Sequence, residues 1–108
     1  MEGLRIFDTY LYEISKGTKP VALVTLEEFH ILKIKEKLKK LGIEFLIQPL
    51  EFGKVNVFFG KKECIKALKT FLKPLDKLNP YEDFILGTIL GYDTEKQCER
   101  FLKRLSAA

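Results

Sequence analysis

At 108 residues, with 46% hydrophobic and 31% charged side chains, the chain has the size and composition expected of one soluble domain spanning residues 1–108. No apolar run approaches the ~18–20 residues that cross a bilayer. The opening "MEGLRIFDTY" has an acid at its second position and no apolar stretch before a small-residue cleavage site, so no signal peptide and a cytoplasmic location are expected. The net charge of +4 comes largely from lysines at helical spacing, and the bland reading of these is a solvated helix face.

In chain order, residues 5–14, "RIFDTYLYEI", are rich in β-branched and aromatic types and predict a strand, with Gly17 and Pro20 punctuating the turn after it. "VALVT" is a short continuous apolar run, suited to a central strand. Thr25 and Glu28 then make a capping box for a helix whose stripe is Ile31, Ile34, Leu38 and Leu41, with Gly42 as its left-handed stop. "IEFLIQPL" and "KVNVFFG" alternate as two strands around an "EFGK" turn, and Pro49 places the first of them at a sheet edge. After Gly60 a helix turns Cys64, Leu68, Phe71 and Leu72 inward and its lysines outward, until Pro74 ends it.

The last third predicts a helical hairpin over residues 79–106. Asn79 caps its first helix, Pro80 fits the first turn, and Glu82 and Asp83 lie where the helix dipole favours acids. From Phe84, "FILGTILGY" is apolar at nearly every angle and demands cover on more than one side. Gly87 and Gly91, four apart, permit a close backbone approach. Gly91 stops the helix, Thr94 and Gln97 form a second capping box, and Cys98, Phe101, Leu102 and Leu105 make one stripe. The expected contact surface of a homodimer is therefore Phe84, Gly87, Leu90 and Gly91.

These elements define an α+β fold with a three- to four-stranded, largely antiparallel sheet. Its core, residues 5–72, carries a ferredoxin-like β-α-β-β-α order from Val21 to Leu72, preceded by the N-terminal strand, and the helical hairpin is added at the C-terminal end. The expected strand order is the N-terminal segment, "VALVT", "VNVFF", then "IEFLIQ".

The stretch "YEDFILGTILGYDTEKQCERFLKR", with "EFLIQPLEFGKVNVFFGKKECIKALKTF" before it, resembles the small bacterial family catalogued as domain of unknown function two thousand and twenty-three. The resemblance runs over nearly the whole chain. It implies a mixed fold of a few strands and several helices that forms a homodimer. It brings no activity and no catalytic residues, and it associates the chain with flavodoxin-type electron carriers as an alternative role.

No nucleophile elbow, phosphate-cradling glycine loop or two-histidine metal pattern is present, and no catalytic, cofactor or metal residues are assigned. His30, between Phe29 and Ile31, is a general base only if partners converge on it. Cys64 and Cys98 read as reduced core residues on helix stripes. The lysines Lys33, Lys37 and Lys40 allow weak, salt-sensitive nucleic-acid binding, with Phe58 and Tyr12 as candidate aromatics for stacking on an open sheet face. The reading that absorbs most of the pattern is a non-catalytic, homodimeric interaction or regulatory module with a protein partner. Weak RNA or DNA binding and an enzyme with an unrecognised site are the alternatives.

Overall fold

The computed structural model describes residues 2–107. The chain divides into two compact units, Met1–Lys66 and Ala67–Ala108.

The first unit opens with a helix, α1 (Glu2–Ser15), and not with the expected strand. Leu4, Phe7, Leu11 and Ile14 recur at three- and four-residue steps. The last three are buried and Leu4 packs against the same core. Neither alternate set of residues 5–14 is consistently apolar, so a strand has no clean face to bury, whereas a helix has a complete one. The Thr9 hydroxyl donates to the Arg5 carbonyl at 3.0 Å, a bond within the helix.

β1 (Val21–Glu27) follows, then a 3-10 turn (Glu28–His30) and α2 (Ile31–Lys40). The expected capping box at Thr25 does not form. The strand continues two residues further because Leu26 is buried in phase with Ala22 and Val24, and the Thr25 hydroxyl donates sideways to Asn56 Oδ1 at 2.7 Å. Neither the 3-10 turn nor α2 has a side-chain cap. Ile34 and Leu38 are buried as expected, but Leu41 is exposed, because the helix ends at Lys40 and Leu41 is its cap. The Ile43 amide bonds to Leu38 O at 2.9 Å and the Gly42 amide to Lys39 O at 3.1 Å, the two bonds of a Schellman closure. Ile43, packed on the core, takes the apolar contact that Leu41 was expected to make.

β2 (Glu44–Pro49) and β3 (Lys54–Gly60) form the expected hairpin. Both central turn residues, Phe52 (φ 58°) and Gly53 (φ 68°), are left-handed, the pattern of a primed hairpin turn. The sheet is three-stranded and antiparallel in the order β1-β3-β2, so β1 and β2 flank β3 and Pro49 lies on an edge strand. Register places Ala22, Phe59 and Phe45 in one row and Val24, Val57 and Ile47 in the next. These rows, with α1 and α2 residues, form the core, in which Phe7 and Phe59 meet at 4.9 Å. On the opposite face, Thr25, Asn56 and Gln48 stand in one row, and Asn56 donates to Gln48 Oε1 at 3.0 Å. Asn56 is 3% exposed, and its amide is satisfied from both sides.

α3 (Lys62–Lys69) completes the expected β-α-β-β-α order. Leu68 is buried, as is Ile65, which the expected stripe omitted, while Cys64 is half-buried. The helix stops five residues before Pro74, leaving Phe71 and Leu72 half-buried beyond its end. The second unit contains a 3-10 turn (Leu75–Lys77), α4 (Pro80–Ile89) and α5 (Thr94–Ala107).

Candidate functional site

The helical hairpin is set by its caps. Asn79 Oδ1 accepts the Glu82 amide at 2.8 Å, and Glu82 Oε1 accepts the Asn79 amide at 2.9 Å, a complete capping box with Pro80 at the first helical position. The Asn79 amide, then Lys73 Nζ at 2.9 Å, hold the Glu82 carboxyl below the usual glutamate range. At the other end the Tyr92 amide bonds to Gly87 O and the Gly91 amide to Thr88 O, with Gly91 left-handed (φ 77°). The expected second capping box does not form; a one-way cap from Asp93, one residue earlier than expected, takes its place. Asp93 Oδ1 accepts the Lys96 amide at 3.0 Å, and Thr94 is already the first helical residue. Gln97 is not part of a box; its side chain lies over Gly87.

Contacts centred on Phe101 and on Asp83 fasten α4 to α5. The Phe101 ring stands 5.0 Å from Phe84 and 5.1 Å from Tyr81. Asp83 receives Arg100 Nε at 2.7 Å and Arg104 Nη1 at 3.5 Å, and Asp83 raises the Arg100 guanidinium pKa further. Arg104 also donates to Leu78 O at 3.0 Å. The start of α4 thus meets the end of α5, and Gly87 meets Gln97, so the helices are antiparallel.

The four residues expected at a dimer contact divide within this hairpin. Gly87 and Leu90 are buried, Phe84 is half-buried against Phe101, and Gly91 is exposed at the turn. Of the expected α5 stripe only Phe101 packs inward. Cys98, Leu102 and Leu105 are exposed, because the α4 contact line runs through Gln97, Phe101 and Arg104, one flank away. Ile85 follows Phe84 and Leu102 follows Phe101. In an antiparallel pair, one step past each contact residue turns both helices to the same flank. That flank carries Tyr81 and Ile85, four apart on α4, and Cys98, Leu102 and Leu105, four and three apart on α5. Ile85 is 45% exposed and Leu102 61%.

Other residues singled out from the sequence land elsewhere. His30 ends the 3-10 turn, half-buried, its ring 4.2 Å from Phe29. Phe58 is fully buried and Tyr12 is on α1, so neither stacks on an open sheet face. Lys37 pairs with Asp8 at 3.3 Å. Cys98 is exposed, where a core position was expected. Among the described residues no group of three or more His, Cys, Asp or Glu is placed to hold a metal ion, and no helix is long and apolar enough to cross a membrane.

Among the described residues these features define a small α+β protein with an open antiparallel sheet of three strands and five α-helices, the last two forming a C-terminal hairpin. The family model described as protein of unknown function (DUF2023) matches residues 5–104, and the chain belongs to that family. No curated protein matches the chain.

Proposed function

We propose that the protein is a non-catalytic, homodimeric interaction module, and that its dimer contact is the flank formed by Tyr81, Ile85, Cys98, Leu102 and Leu105. One observation carries the reading: two neighbouring helices expose apolar stripes on the same side of one hairpin. An isolated exposed leucine needs no explanation, but aligned stripes at helical spacing are the pattern of a helix-packing surface. A second copy applied about a two-fold axis would complete a four-helix arrangement, since an isologous contact uses the same patch on both sides. Phe84, Gly87 and Leu90 then act from behind the contact, fixing the spacing of the two helices that present it.

Sedimentation equilibrium at micromolar concentration tests the proposal. The expected result is a dimer mass for the wild-type chain and a monomer mass for Leu102→Glu and Ile85→Glu, with helix content unchanged. A persistent wild-type monomer defeats the dimer, and a dimer that survives both variants defeats this surface.

A further inference from the structure

At the end of the sheet where β1 gives way to the 3-10 turn, the first unit holds a cavity of about 320 Å³. Its wall includes Gly3 of α1, Thr25 and Glu27 of β1, His30 and Lys54. The first turn of α1 reaches this wall only because residue 3 is glycine. A Cβ there would stand 2.8 Å from Leu26 Cδ2 and 3.1 Å from the Thr25 carbonyl oxygen. The opposite side is fixed by the Glu28 amide, which bonds to Gly53 O at 2.7 Å and ties the turn bearing His30 to the turn preceding Lys54.

The chemistry gathered there has no partner among the described residues. Glu27 and Lys54 are directly opposite in register, yet they form no ion pair, and neither makes a side-chain hydrogen bond. Among the described residues His30 has only a tilted ring contact with Phe29, which leaves both ring nitrogens unused. Phe29 is 72% exposed beside it, and Phe52, two residues before Lys54, is 91% exposed in a left-handed conformation unusual for a bulky side chain.

We infer that this cavity binds a small bifunctional molecule, with a carboxylate or phosphate at one end and an amino group at the other. Lys54 and a His30 N–H take the oxyanion, and the Glu27 carboxylate takes the ammonium. A volume near 320 Å³ lies at the low end of small-molecule sites and holds a metabolite, not a polymer. Glu27 and Lys54 are opposite in register and carry opposite charges in one wall, so a molecule with both an oxyanion and an ammonium complements both. The site lies within the first unit and is independent of the dimer proposed above.

His30 is the chain's single histidine, so its imidazole gives one resolved carbon–proton signal that reports on the cavity. The probes are phosphoethanolamine and β-alanine, with inorganic phosphate, acetate and ethanolamine as the separate halves. The expected result is a saturable His30 shift with one of the two bifunctional probes, at a Kd of ~1 mM or below and at least tenfold tighter than either half. Lys54→Met should abolish saturation and Glu27→Gln should remove the advantage over the oxyanion half, while the Phe7 and Phe59 core signals stay in place as a control on folding. A shift that stays linear for every probe overturns the inference. So does binding unchanged in Lys54→Met, or equal affinity for the oxyanion half alone.

Discussion

The Gln97 side chain of α5 fills the space where a Cβ of Gly87 on α4 would stand. The obstacle is the movable end of a flexible side chain, not backbone. Gly87→Ala should therefore displace the amide and recover much of the ~1 kcal/mol of helix propensity that glycine forgoes. Its net effect on urea denaturation is expected within about 1 kcal/mol, and Gly87→Ala with Gln97→Ala should be the more stable pair. Gly87→Leu cannot be accommodated by that movement alone and should destabilise by ~1–3 kcal/mol through overpacking. A Gly87→Leu protein as stable as wild type would show that the hairpin is looser than described.

Glu82 makes the start of α4 sensitive to acid. Its carboxylate is favoured by the Asn79 amide and then by Lys73, so the folded group titrates below its unfolded value. The stabilisation is complete above the ordinary glutamate pKa of ~4.3 and fades as pH falls through the lower folded value. Glu82→Gln should keep the capping geometry and lose the charge. Its thermal midpoint should lie below that of wild type at pH 7, and the gap should narrow steadily as pH falls below the ordinary glutamate value. A gap that does not change on acidification would remove the carboxylate from the explanation. Asn79→Ala should lower stability by ~1 kcal/mol across the same pH range.

The N-terminal helix makes its own prediction. Phe7 is buried against Phe59, whereas Ile6 is exposed. Phe7→Ala should cost ~3–5 kcal/mol and Ile6→Ala well under ~1 kcal/mol in chemical denaturation. Comparable losses at the two positions would contradict the helical face.

The cysteines should differ in reactivity. Cys98 is exposed on the proposed dimer flank and Cys64 is half-buried. In the native chain a thiol-specific reagent should modify Cys98 first, and its rate should fall as protein concentration rises through the dimerisation range. A Cys98 rate independent of concentration would argue against the contact.

Features governed by local chemistry were legible from residue types alone. Gly42 and Gly91 close helices as their positions indicated, Asn79 with Glu82 forms the expected box, and Pro49 lies on a sheet edge. The errors occurred where distant contacts decide. Residues 5–14 have strand-like composition, but the 3- and 4-residue spacing of Leu4, Phe7, Leu11 and Ile14 prevails because the core lies along that one face. Thr25 has an ideal capping spacing, yet a bond to Asn56, 31 residues away, keeps it in the strand. The α5 stripe shows a different limit, since amphipathic spacing identifies a face that avoids water without saying whether the same chain covers it. The cavity at His30 was not legible because Gly3, Glu27 and Lys54 are brought to it by register and close packing, and no local motif marks them.

The row of Thr25, Asn56 and Gln48 has a consequence for how the sheet assembles. A strand that slips by one residue exchanges its two faces, and the apolar rows alone penalise this weakly here, because Phe58, Leu23 and Leu46 make the second face partly apolar as well. A slipped β3 would set the Asn56 amide against hydrocarbon from both neighbours, with nothing to accept or donate. Three polar side chains thus act as an assembly key, rejecting alignments that the greasy residues around them would tolerate.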